Sequence, residues 1–230
     1  MNTTLAKVII AATCSLAFSA LNIRADGMAA RPVLVDDGTP GRFYVDVDGG
    51  VLFQQDITLV QSVGTTSIKD NATFNPGTRA NIGLGYNIND SLAAEFGSGL
   101  IYNSMDKVGT VHLDTLNQGL DQYSIPMIAS LVYRVHGAGP ITPYIGVGAG
   151  GLLDIVDIKN GPHSTDTDFT FAWQAQAGIR YAVCEHASVG LGYQFLGSLD
   201  QHFYDKYLNE DLTFKGVYTH AILLTFTWQF

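Results

Sequence analysis

The chain has 230 residues, 47% of them hydrophobic and 14% charged, with 12 basic residues against 21 acidic and a formal net charge of −9. That balance excludes nucleic acid as a partner, since a phosphate backbone is bound by clustered Lys and Arg. With Cys14 and Cys184 as the only cysteines, a disulfide framework is excluded as well.

The first element is Lys7 followed by an apolar run over residues 8–20, VIIAATCSLAFSA, with Ser19, Ala20 and Ala25 as small residues at cut positions. A charged start, a short apolar core and small residues after it read as a secretory signal peptide, residues 1–25. The run is shorter than the roughly 20 residues a membrane helix needs. Thr13 stands where a lipoprotein signal carries Gly, Ala or Ser, so Cys14 is assigned to the removed peptide. Loss of Lys7 and Arg24 leaves 10 basic residues against 21 acidic, a net charge near −11, and Cys184 alone, so no intramolecular disulfide. Residues 26–40 read as a linker and 41–230 as one domain. No other stretch reaches the length of a membrane helix, so a spanning form must be a β-barrel.

Alternating runs of roughly ten to fourteen residues then repeat along the chain, and they predict strands near 42–54, 76–88, 91–103, 123–136, 141–153, 168–182, 187–198 and 216–230. A tilted strand crosses a bilayer in about 9–11 residues, whereas soluble strands average nearer 5–6. Short turns rich in Gly, Asn, Asp and Pro alternate with longer connections at 55–75, 104–122, 154–167 and 199–215, read as loops. Short turns on one rim and long loops on the other are the asymmetry of outer-membrane barrels. In the sixth predicted strand, Phe169, Phe171, Trp173, Ala175, Ala177, Ile179 and Tyr181 alternate with Thr170, Ala172, Gln174, Gln176, Gly178 and Arg180. Aromatics at both ends of the apolar face mark two interfacial girdles, so the greasy set faces lipid and the compact polar set faces the lumen.

Carrying that phase to the other strands points Asp46, Asp48, Arg79, Glu95, Arg134 and Arg180 inward. Three acids and three arginines in a narrow barrel are expected to pair, because unpaired buried charge is costly. The expectation is a lumen plugged by an ionic network.

The last strand alternates most strongly, with Tyr218, His220, Ile222, Leu224, Phe226, Trp228 and Phe230 on one face. Its aromatic end, Phe226, Trp228 and Phe230, resembles the terminal signal read by the barrel-assembly machinery. The runs PYIGVGAGG at 143–151, FAWQAQAGIRY at 171–181 and VGLGYQFLG at 189–197 are likewise similar to the small outer-membrane β-barrel proteins of the OmpA-type and opacity-porin-like superfamily. The resemblance covers residues 40–230. It implies an all-β fold, an eight-stranded antiparallel up-and-down transmembrane barrel without a wide pore, and it brings no catalytic residues. No peptidoglycan-binding domain is expected after the barrel.

Other motifs carry less. Gly146, Gly148 and Gly151 match the dinucleotide fingerprint, but Gly161 and Pro162 follow soon after instead of a helix, so they read as lumen glycines. His202 and His220, with Ser198, Asp200 and Asp205, give no Ser, His and acid spacing for a charge relay. The loops hold thirteen acids against five lysines, and Asp166 with Asp168 is the tightest pair for a hard cation. The chain therefore reads as a monomeric Gram-negative outer-membrane barrel, exported with its signal peptide cleaved. Its expected partners are outer-membrane lipid, lipopolysaccharide and the assembly machinery, with no cofactor and no enzymatic activity. The expected role is structural or surface-interactive through acidic loops; alternatives are a narrow channel for ions or small solutes and a lipid-modifying enzyme.

Overall fold

The computed structural model describes residues 41–63, 66–112, 119–135, 139–159, 165–205 and 210–230. The expected signal peptide and linker, and His136 at the end of the fourth predicted strand, lie outside the described residues. Eight strands build the barrel: β1 (Phe43–Gln54), β4 (Gly77–Asn87), β5 (Leu92–Val108), β7 (Gly119–Arg134), β8 (Ile141–Lys159), β9 (Thr165–Cys184), β10 (Ala187–Ser198) and β13 (Tyr218–Gln229). Each pairs antiparallel with its chain neighbour in the wall, and β1 against β13 closes the ring from Tyr44↔Gln229 to Gln54↔Thr219. Closure pairs the backbone N–H and C=O groups of the eight wall strands with one another across the bilayer, as lipid requires.

All eight predicted strands are present. The predicted long loops are corrected: much of them is regular β-structure. β5, β7, β8 and β9 run on past the expected limits. Five further strands stand on the same rim: β2 (Ile57–Val63), β3 (Thr66–Phe74), β6 (Val111–His112), β11 (Gln201–Asp205) and β12 (Glu210–Lys215). The opposite rim has tight turns. In the one between β4 and β5, Asn89 Oδ1 accepts the N–H groups of Ser91 at 2.9 Å and Leu92 at 2.8 Å, the bonding that suits Asn to turns.

Alternate residues on every barrel strand face out or in, as the pleat requires. The outward set is apolar and bare, with Val147 66% and Leu224 70% exposed. Phe43 and Tyr86, rings 5.0 Å apart, belong with Tyr133, Tyr181, Trp228 and Phe230 to the inner-rim girdle. Tyr102 and Tyr123, 5.2 Å apart, mark the outer one. About ten residues of each strand fit between girdles. On β8 that band starts at Ile141 and reaches the level of Tyr123, which pairs in register with Ile155.

The inward set is stacked in four layers. Nearest the tight turns lies a charged and polar layer around Arg180, Glu95 and Asp46. An apolar layer follows, formed by Leu52, Ile101, Ile128, Leu152, Leu196 and Leu223 with two alanines. Above it Gln54, Asn103, Gln122, Ser124, Asp154 and Gln201 make a second polar layer. Ile57, Ala72, Met105, Val156, Phe214 and Val217 form a second apolar one.

Candidate functional site

The lumen holds the inward charges. β9 carries Arg180 into the barrel, and β1 and β5 carry Asp46 and Glu95 to it. Arg180 Nη2 lies 2.9 Å from Asp46 Oδ2 and 3.3 Å from Glu95 Oε1. Its guanidinium carbon sits 4.9 Å from the Tyr144 ring centre and 5.6 Å from that of Tyr44. Tyr44 Oη donates to Glu95 Oε1 at 2.7 Å, and Gln176 Nε2 donates to Glu95 Oε2 at 3.0 Å. A charged hydrogen bond in a dry interior is roughly twice as strong as a neutral one, so this triad is rigid. Tyr44 in turn needs glycine at Gly85 on β4, where a Cβ would run into its ring.

The other three predicted charges are in the lumen but outside the triad. Arg79 reaches it through amides: Nη2 donates to Gln174 Oε1 at 2.8 Å, Gln174 Nε2 to Gln176 Oε1 at 3.3 Å, and Gln176 to Glu95. Arg134, fully buried at the inner rim, donates to Asn87 Oδ1 and lies 5.3 Å from the Tyr44 ring centre. Asp48 and Arg79 line one cavity of about 50 Å³ under Ile128 and Leu223, without direct contact. That is room for about three to five waters, far less than a solute path. Tyr44, Asn87, Gln174 and Gln176 were not among the predicted charges, although their inward phase in the alternation marks them.

Above the inner apolar layer, Asp154 of β8 is the hub of the second polar layer. Ser124 Oγ and Gln122 Nε2 (3.2 Å) donate to its Oδ1, and Gln201 Nε2 donates to Oδ2 at 2.6 Å. Asn103 donates to Gln54 at 2.9 Å and Gln54 to Gln122 at 3.4 Å, so the amides are aligned toward the carboxylate. Local spacing could not reveal this cluster, because its members come from four separate strands and from β11.

The remaining candidates fall elsewhere. Asp168 pairs in register with Asp154; the Asp166 side chain lies outside the described residues, and among those no group of three metal-ligating side chains occurs. His220 faces outward beside Phe195, its Nδ1 2.6 Å from Tyr193 Oη and its Nε2 2.8 Å from Gln55 Nε2. That explains a histidine on the lipid-facing set: both ring nitrogens are satisfied. The side chains of His202 and Asp205 lie outside the described residues. Cys184 is a free thiol at the β9–β10 turn. Gly146 and Gly148 face the lumen, whereas Gly151, read as a lumen glycine, faces out beneath the Phe169 ring, where a Cβ would collide. The even spacing inward on β8 excludes position 151. Trp228 and Phe230 are exposed on the outward face, with Phe226 in the same phase.

Comparison with known proteins bears on the whole chain. The outer membrane protein AlkL in lipid bilayers matches with a TM-score of 0.60 at 16% identity, over 91% of this chain and 97% of that one. OprG, an outer membrane protein from Pseudomonas aeruginosa, matches with a TM-score of 0.59 at 14% identity, over 85% and 99%. The outer membrane protease OmpT from Escherichia coli gives 0.50 at 9% identity, over 89% and 99%. At these identities the likeness is one of fold. No curated protein matches. The family model for the outer membrane protein β-barrel domain matches residues 11–230, starting within the segment read as signal peptide. With the closed barrel, this places the protein in a Gram-negative outer membrane. The chain belongs to the outer membrane protein β-barrel domain family.

Proposed function

We infer that this protein is a closed scaffold that acts through its wall and outer surface, in envelope integrity or adhesion-type contact. The observation that carries this reading is the four-layer interior: two polar layers and two apolar ones alternate along the axis. An eight-stranded interior is just wide enough for side chains to fill, and here they do so twice over. On this reading the barrel is a monomer held by outer-membrane lipid and lipopolysaccharide, inserted by the assembly machinery through Phe226, Trp228 and Phe230. A non-enzymatic role is favoured because His220 is committed to Tyr193 and Gln55.

Planar-bilayer recording of the purified barrel tests the reading. No unitary current steps are expected. Steps of reproducible size would make the narrow channel the better account. Cells carrying a barrel with the β2–β3 and β11–β12 hairpins shortened divide the two roles. An envelope role survives the shortening, whereas a contact role is lost with it.

A further inference from the structure

Among the described residues the outer wall has one discontinuity. β3 joins β5 through three residue pairs with a bulge between Thr73 and Phe74, flanked by the Gly109 N–H bonded to the Asn71 carbonyl at 2.8 Å and the Asn75 N–H bonded to the Ser104 carbonyl at 3.0 Å. From β3 a four-stranded antiparallel sheet continues through β2 and β12 to β11. Its far edge, β11, lies alongside β9, yet among the described residues no backbone ladder joins the two. β9 pairs with β10 only from Ala172 onward; its outer part, 165–171, has β8 on one side alone. Facing edges without a ladder lack the bonds that hold every barrel strand to its neighbours.

Among the described residues, two hydrogen bonds close this seam. At its foot the Leu199 N–H donates to the Phe171 carbonyl at 3.1 Å. Higher up, Gln201 of β11 crosses the lumen to Asp154 of β8 at 2.6 Å. Both side chains are 0% exposed, and the second oxygen of Asp154 is held by Ser124 and Gln122. Gln201 Oε1 has no partner, so its amide is held in the wall by its nitrogen alone. The sheet also has a pivot: Asp200 accepts from Lys215 Nζ at 2.7 Å and from the Gly216 N–H at 3.0 Å. Gly216, at φ +49, turns the chain there into β13 in a conformation glycine takes without strain.

We propose that the β3–β2–β12–β11 sheet is a hinged side wall that opens along the β9–β11 seam, with the Asp154–Gln201 hydrogen bond as its latch. Opening exposes Val156, Phe214 and Ile57 of the outer apolar layer sideways. The inner apolar layer and the Arg180 triad stay closed, so the device works whether or not the lumen conducts.

The test places Val156→Cys in a Cys184→Ser background and follows labelling by a membrane-impermeant maleimide on intact cells. Gln201→Leu removes the latch and leaves Asp154 its bonds to Ser124 and Gln122. Loss of a hydrogen bond to a charged acceptor shifts such an equilibrium roughly tenfold or more, so labelling is expected to accelerate by about that factor. Leu152→Cys, in the inner apolar layer, should stay unlabelled in both backgrounds. Equal rates at position 156 with and without Gln201 would overturn the latch. Labelling at position 152 as well would overturn it too, since the barrel would then have lost its packing. Hydrogen exchange on the native chain gives a second reading that needs no cysteine. The β11 and β12 amides should exchange faster in Gln201→Leu while those of β8 and β9 keep their protection; unchanged β11 exchange counts against the hinge.

Discussion

Arg180 shows what a buried charge needs. At 3% side-chain exposure it keeps its charge because two carboxylates and two aromatic rings replace its water. A planar guanidinium can meet all four at once, which a lysine ammonium cannot. Arg180→Leu leaves Asp46 and Glu95 buried without their cation and should cost about 3–5 kcal/mol. Asp46→Asn, which leaves Glu95 paired, should cost clearly less, and urea unfolding from lipid vesicles would rank the two. Asp154 behaves in the opposite way, having no cation within ion-pair distance among the described residues and being held by the neutral donors Ser124, Gln122 and Gln201. Ser124→Ala removes one of them and should cost about 1–3 kcal/mol, read by the same urea unfolding; no cost would show that this hydrogen bond adds nothing.

At the scale of the strand, lipid enforces the pattern. Leu224, 70% exposed in mid-β13 between Gly49 of β1 and Leu191 of β10, meets hydrocarbon. Leu224→Arg should cost about 2–4 kcal/mol, and the same change at Trp228, near the inner girdle, about 0–1. Folding titrations into vesicles measure both, and equal costs would place the membrane band wrongly. The same constraint made the eight barrel strands legible in sequence: one face must be apolar for ten residues or so, and FTFAWQAQAGIRY shows it directly. It also gave the phase that turned Asp46, Arg79, Glu95 and Arg180 inward. β2, β3, β11 and β12 look like loops in the sequence because they stand above the lipid, where no solvent asymmetry demands a strict period of two. Asp154 and Gln201 were hidden for a related reason, since only the sheet's closure brings β8 and β11 face to face.

At the scale of the molecule, the four layers act in series. A path along the axis must breach the Arg180 triad with its amide chain and then the layer of Leu52, Ile128 and Leu223. Water does not enter the second because it offers no polar partner, and ions do not enter the first because its charges, three acids and three arginines, already balance. Either layer alone is therefore enough to stop current. Arg180→Ala should leave the barrel silent in planar bilayers, and so should the triple change Leu52→Ala, Ile128→Ala and Leu223→Ala. The combination opens the 50 Å³ cavity upward but leaves the Asp154 layer and the Val156 and Phe214 layer above it in place, so it too should stay silent. Conduction from the apolar triple alone would show that the charged layer leaks. Conduction from Arg180→Ala alone would show that the apolar layer is wetted.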